Sequence, residues 1–380
     1  LDSKWQTSAS SDFHACRMVW HYVCSGFSIG TTTHFTIRKI PIPSAIYNMD
    51  LKALVNIEWG LTSTNILPID NGLINRTWLV RTPTADFILQ NVNTIVFKDP
   101  GTLQEQLVRV AAQIELPHLV PLHYIPTRKG QQLLMIEGQT FRLARAVSPG
   151  TTLHIATELN ARLAAKALQE FHSALSRLDA RNWKAPIADF LDVAKRMASY
   201  EKAIAAALLE RLQRASRAMQ DIEANWDMLR NWKQFLEAQP KVLIHADPKL
   251  SNFLVHPNGK TVRALIDWDT IQLGSPFYDY GDMIRSYCSV GEEVNRDQKI
   301  FRKEIYEVIQ DALDVDPIAL RCAATGVIMV QALRFLTDYL ENDRYYKVKD
   351  EAHNLRRAMN QLKMVEELNA DWLTTQKRGR

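Results

Sequence analysis

A chain of 380 residues, 46% hydrophobic and 23% charged, is long enough for about two lobes with a core each and lies far from the composition of disordered chains. Its formal net charge of +4, with no Lys/Arg-rich block, argues against nucleic acid as a partner and predicts that any phosphate bound is small. Four cysteines, Cys16, Cys24, Cys288 and Cys322, form no Cys-x-x-Cys pair, which points away from a disulfide framework and toward a reducing compartment, the cytoplasm by default.

Residues 1–48 are rich in Ser, Thr and His and carry no sustained period, so they are expected to be a poorly ordered arm or to precede a natural start at Met49. His14, Cys16, His21 and Cys24 are zinc-ligand types, but their spacing matches no standard finger. Met18 to Gly30 lacks the positive cluster and small-residue site of a signal peptide. No run of roughly 18 apolar residues predicts a membrane span.

Order begins with Leu51, Leu54, Val55 and Trp59, a helical face that Gly60 ends. Ile66 to Ile69, Thr77 to Arg81 and Phe87 to Val92 read as strands of a meander, followed by a helix at Leu103 to Ile114. Further strands are predicted at Leu119 to Ile125, Gln132 to Glu137 and Thr140 to Ala146, with Pro149 and Gly150 closing a first lobe. From Thr157 the period becomes helical, and Asp189 to Leu236 is almost continuously helix-compatible, with Trp226 and Trp232 as core residues. A β island interrupts the helices at Lys241 to His245, Asn252 to His256 and Thr261 to Trp268. The prediction is an α+β, bilobal chain: an arm (1–48), a β-rich lobe (49–146) and a mainly helical lobe (147–380), with a cleft between the lobes.

The chemistry concentrates in His245-Ala246-Asp247-Pro248-Lys249-Leu250-Ser251-Asn252, a His-x-Asp-x4-Asn segment between two predicted strands. Phosphoryl transfer needs a carboxylate to orient or accept the proton of the attacking hydroxyl, and an amide oxygen five residues on to hold Mg²⁺; Asp247 and Asn252 have that spacing. Asp267, at the end of the next apolar strand, is the matching carboxylate ligand, since Mg²⁺ favours oxygen donors. Each alone is an ordinary loop residue; the combination predicts ATP, Mg²⁺ and a kinase. His245 is expected to brace the loop, because kinase chemistry needs no histidine base.

On these residues the chain resembles the aminoglycoside phosphotransferase and choline kinase superfamily, whose fold is like that of protein kinases, over residues 50–380. Gly274-Ser275-Pro276 and Asp279-Tyr280-Gly281-Asp282 look like its Gly-x-Pro and Asp segment, which implies that Asp279 braces the catalytic loop; a helix N-cap is the alternative. Three stretches resemble one branch, the N-acetylhexosamine 1-kinases: Asp70 to Asn75, Ile88-Leu89-Gln90 with Asn93 to Phe97, and Arg334 to Tyr345 with His353-Asn354-Leu355. The resemblance implies a nucleotide site at Gly72, Asn75 and Gln90, and sugar contacts from Arg334 and Tyr345 beside Asp247. Gly72 stands without the further glycines of the protein-kinase loop, and Gln90 occupies the strand position of the usual phosphate-pairing Lys, leaving the neutralising cation open, with Lys98 one choice. Leu73 stands where a His occurs in the best-known 1-kinases, and Glu105, the nearest match to the helix-C Glu, reads as a solvated residue. The resulting expectation is a kinase of a sugar hydroxyl. The alternatives are a kinase of another alcohol, such as an aminoglycoside, choline or homoserine, and a nucleotide-binding pseudokinase.

Overall fold

The computed structural model describes residues 49–69, 74–291 and 299–378. The arm and Gly72 therefore lie outside the described residues, and Asp50–Arg380 forms a compact unit.

The β-rich lobe opens with α1 (Leu51–Trp59), which Asp50 caps and Gly60 ends in the left-handed conformation (φ 72°) that glycine adopts without steric cost. β1 (Asn65–Ile69), β2 (Arg76–Arg81) and β3 (Asp86–Asn91) form the meander. α2 (Pro100–Gln113) starts on Asp99, whose carboxylate accepts the Thr102 N–H, with Pro100 in the first turn where no amide donor is needed. β4 (Tyr124–Ile125), β5 (Leu134–Ile136) and β6 (Gln139–Arg145) complete an antiparallel sheet of order β1-β2-β3-β6-β4, with β5 also on β6. Only Tyr124 and Ile125 of the predicted Leu119 to Ile125 strand pair, because Pro121 offers no ladder donor. The β3–β6 register sets Gln90 opposite Arg142, a pairing across 52 residues.

After β7 (Thr151–Thr152), the capping box of Thr157 and Asn160 starts α3 (Glu158–Leu175). The predicted helical run resolves into α4 (Val193–Ala206), α5 (Leu209–Ala224) and α6 (Trp226–Ala238), broken at Ala207-Leu208 and Asn225 without Gly or Pro. β8 (Val242–Ile244), β9 (Phe253–Val255), β10 (Val262–Leu265) and β11 (Gln272–Gly274) are short; β10 and β7 flank β9, and β11 pairs with β8. β10 stops three residues before Trp268, because Asp267 turns left-handed (φ 65°) and Trp268–Thr270 forms a 3-10 turn. α7 (Pro276–Tyr287), α8 (Lys303–Ala312), α9 (Pro317–Leu340) and α10 (His353–Arg378) follow.

α9 corrects the expectation that no segment is long and apolar enough to span a bilayer: its 24 residues are, by length and composition. Its apolarity has another cause, since α4, α5, α6, α7 and α10 all pack against it and most of its residues are buried among them. Together the elements give a protein kinase-like α+β fold, with the β sheet in one lobe and the helices gathered around α9 in the other.

Candidate active site

The His245 to Asn252 loop is held from below. Ala246 takes a left-handed conformation (φ 64°), unfavourable for a residue with a Cβ, so something must fix it. That anchor is Asp279, which sits inside the first turn of α7 and is not its cap; Ser275 caps α7. The Asp279 carboxylate accepts the backbone N–H groups of His245 and Ala246, both at 2.8 Å, and faces His172 Nε2 at 2.7 Å. His245 is fully buried, with Nε2 3.0 Å from the Ile266 carbonyl and Nδ1 3.4 Å from the Asp247 N–H. Those partners assign the proton to Nε2 and leave Nδ1 as acceptor, so His245 ties the loop to the end of β10. Thr270 Oγ1 donates to the His245 carbonyl at 2.8 Å, a second tie between the two segments.

Above this base the polar groups converge. Lys249 Nζ lies 2.6 Å from Asp247 Oδ2 and 4.0 Å from Asp267 Oδ2. Asn252 donates to the Asp247 carbonyl at 2.8 Å and to its Oδ2 at 3.3 Å. Burial works against charge on Lys249, yet Asp247 and Asp267 hold its ammonium well above the usual lysine range. The protein crowded around Asp267 pushes its carboxyl up, Lys249 pulls it down, and nearby Asp269 and Asp247 push it up again. Asp267 nevertheless keeps 41% of its side chain exposed. The structure thus brings Asp247, Asn252 and Asp267 together and adds Lys249, which the Asp-x-Lys spacing in the loop could have signalled.

The donor set fits Mg²⁺: an ammonium already occupies the space between the two carboxylates as a stand-in cation, and among the described residues no donor meets the Asn252 side-chain oxygen.

Asn75 and Gln90 both belong to a buried network centred on Arg142. Arg142 is 3% exposed and Asp269 2%, with Nη2 of the arginine 2.7 Å from the carboxylate. Burial opposes the Arg142 charge, and Asp269, with smaller contributions from Tyr124 and Asp267, holds it above the usual value. Arg142 Nε donates to Gln90 at 2.9 Å and Nη1 to Gln104 of α2 at 3.4 Å, while Asn75 donates to Asp269 at 2.6 Å. Glu105 and Lys98 are both exposed, so the α2 side chain in the network is Gln104.

In the helical lobe, Arg334 donates to Gln331 at 3.2 Å and lies over the rings of Phe190 (5.3 Å) and Tyr346 (5.7 Å). Tyr345 is 59% exposed and meets Tyr346 edge-on, so the ring against Arg334 is that of Tyr346. Asp338 fixes this corner by accepting the backbone N–H groups of Tyr345 (2.8 Å) and Tyr346 (3.0 Å), and Asn354 braces Asp338 at 2.8 Å. Asp282 and Arg285, paired at 2.6 Å, lie close enough to Asp247 to feel its charge, which joins this corner to the Asp247 loop.

Solved structures with the same fold include a microcompartment-associated aminopropanol kinase (TM-score 0.59, 14% identity, covering 84% of this chain and 97% of that one). A spectinomycin phosphotransferase, solved with ADP and spectinomycin, aligns with TM-score 0.54 and 12% identity over 84% of this chain and 97% of its own. An aminoglycoside phosphotransferase from Alicyclobacillus acidocaldarius gives TM-score 0.52 and 14% identity over 88% and 97%. At such identities the likeness shows the fold. The family comes from the sequence itself: residues 65–308, which hold the sheet, the loop of Asp247 and the turn of Asp267, match the model of the phosphotransferase enzyme family, and the chain belongs to that family.

Proposed function

We propose that this chain transfers the γ-phosphoryl group of ATP to a small-molecule hydroxyl, and that the acceptor is the anomeric hydroxyl of N-acetylglucosamine or N-acetylgalactosamine. The observation that carries the reading is the convergence of Asp247, Lys249, Asn252 and Asp267 on one braced loop and turn. The acceptor oxygen attacks the γ-phosphorus, its proton passes to the Asp247 carboxylate, and the bond to the β–γ bridging oxygen breaks to release ADP. Lys249 is placed to offset charge on the moving phosphoryl group. Asn252 and Asp267 would hold Mg²⁺, whose contribution is to neutralise the nucleotide phosphates. Gly72, Asn75 and Gln90 are assigned to the nucleotide side. ADP in the spectinomycin phosphotransferase and AMP-PNP in a hygromycin B-bound aminoglycoside phosphotransferase support a nucleotide as the phosphoryl donor. Free thiols at Cys288 and Cys322 suit a cytoplasmic enzyme.

On the acceptor side Arg334 between aromatic rings, with Arg285 neutralised by Asp282, suits a neutral polyol or amide. Arg334→Ala should raise KM for the sugar with KM for ATP nearly constant, and Tyr346→Phe should do so more than Tyr345→Phe. The test of the acceptor is ³¹P NMR of the full chain with ATP, Mg²⁺ and a panel of sugars and amino alcohols. A phosphorus signal coupled to the anomeric proton is expected. Inert N-acetylhexosamines beside a phosphorylated amino alcohol would leave the kinase and remove the sugar.

A further inference from the structure

We propose that Arg142 is the positioning residue of the nucleotide site, doing through Asp269 what a strand lysine and a helix glutamate do together in protein kinases. The inference rests on the kinase reading but on no particular acceptor. Position 90, on β3, holds a glutamine, and its register partner on β6 is Arg142, so the guanidinium enters the same space from the neighbouring strand. All its outward nitrogens are engaged: Nε by Gln90, Nη1 by Gln104 and Nη2 by Asp269. Gln104 belongs to α2, which itself packs on the Trp268–Thr270 turn, and Asn75 reaches the same carboxylate from the residues before β2. Two segments of the β-rich lobe thus meet on one carboxylate of the helical lobe, with β3 and α2 tied in through Arg142.

Asp269 is two residues beyond Asp267, on the turn that Asp267 enters with φ 65°. Its carboxylate is 2% exposed, so it meets protein and not substrate. A buried ion pair is a poor source of stability compared with apolar packing, so its value here is positional. The planar guanidinium fork can hold three partners at fixed angles, which an ammonium cannot. Arg142 therefore sets the direction in which the Asp267 carboxylate leaves the turn, and with it the affinity for metal-bound nucleotide.

The test is a double-mutant cycle on the full chain with Arg142→Gln, Asp269→Asn and the combined Arg142→Gln/Asp269→Asn, the last leaving no lone buried charge. Calorimetry reads AMP-PNP binding with and without Mg²⁺, adenosine binding serves as a fold control, and thermal melting is followed in parallel. Each variant is expected to lose about tenfold or more of its Mg²⁺-dependent AMP-PNP affinity, as outer-shell changes at metal sites do, while adenosine affinity stays within about twofold. The combined variant should lose no more than either single one, because all three break one coupling. Wild-type Mg²⁺-dependent binding in a folded combined variant, whatever its melting point, overturns the proposal. An equal loss with and without Mg²⁺ also overturns it, since Arg142 would then contact phosphate directly. A wild-type chain that binds no AMP-PNP with Mg²⁺ removes the kinase reading itself.

Discussion

Asp247 is useful only because Asp279 is where it is. The Asp279 carboxylate holds two consecutive N–H groups and His172, so Ala246 keeps its left-handed backbone and Asp247 is turned toward Lys249. Asp279→Ala leaves those buried donors unpaired and is expected to cost about 3 kcal/mol or more, read as a lowered urea midpoint. Asp247→Asn is a different experiment, because it preserves shape while removing the proposed proton acceptor and the carboxylate charge that faces Lys249. It should lower kcat by roughly 10²- to 10⁴-fold with the ATP affinity nearly unchanged, whereas Asp267→Ala should abolish Mg²⁺-dependent nucleotide binding. Near-normal turnover of Asp247→Asn would remove Asp247 from the reaction.

Among elements, α9 organises the helical lobe, and two glycines set how closely its neighbours approach. A Cβ on Gly281 of α7 would lie 2.4 Å from the Ala323 carbonyl oxygen of α9. One on Gly326 of α9 would lie 2.3 Å from the Trp232 ring of α6, a fully buried side chain that cannot move aside. Exposed Gly-to-Ala changes in helices usually stabilise, by up to about 1 kcal/mol, but Gly326→Ala should destabilise by about 1–3 kcal/mol because the clash outweighs propensity. Chemical denaturation checks the sign: a Gly326→Ala protein as stable as the parent would show that the α6–α9 contact is looser than described. The same packing explains the split of the predicted helical run into α4, α5 and α6. Each must return to α9, and the breaks at Ala207-Leu208 and Asn225 serve that return.

For the whole molecule, every residue assigned to the reaction lies within the Asp50–Arg380 unit. A chain starting at Met49 is therefore expected to keep its melting temperature and its nucleotide affinity; loss of either would give residues 1–48 a part in the fold or the site.

The sequence by itself determined the α+β class, most strands of the sheet, and the local set of Asp247, Asn252 and Asp267. Strand period and helix period are local properties, and those three residues sit on one loop and the strand end that follows it. Lys249 shared that locality and its spacing was available. The contact of Arg142 with Gln104 and the Tyr346 ring, rather than that of Tyr345, against Arg334 were decided by the tertiary structure alone. Arg142 meets Asp269 across 127 residues and Gln90 through a strand register, and no period or motif encodes such a pairing. Tyr346 turns to Arg334 because Asp338 holds two successive amides of the corner, which orients one ring inward and leaves the other in water. Local pattern chooses elements, whereas side-chain partners across a core are chosen by the one packing that satisfies every buried charge and donor at once.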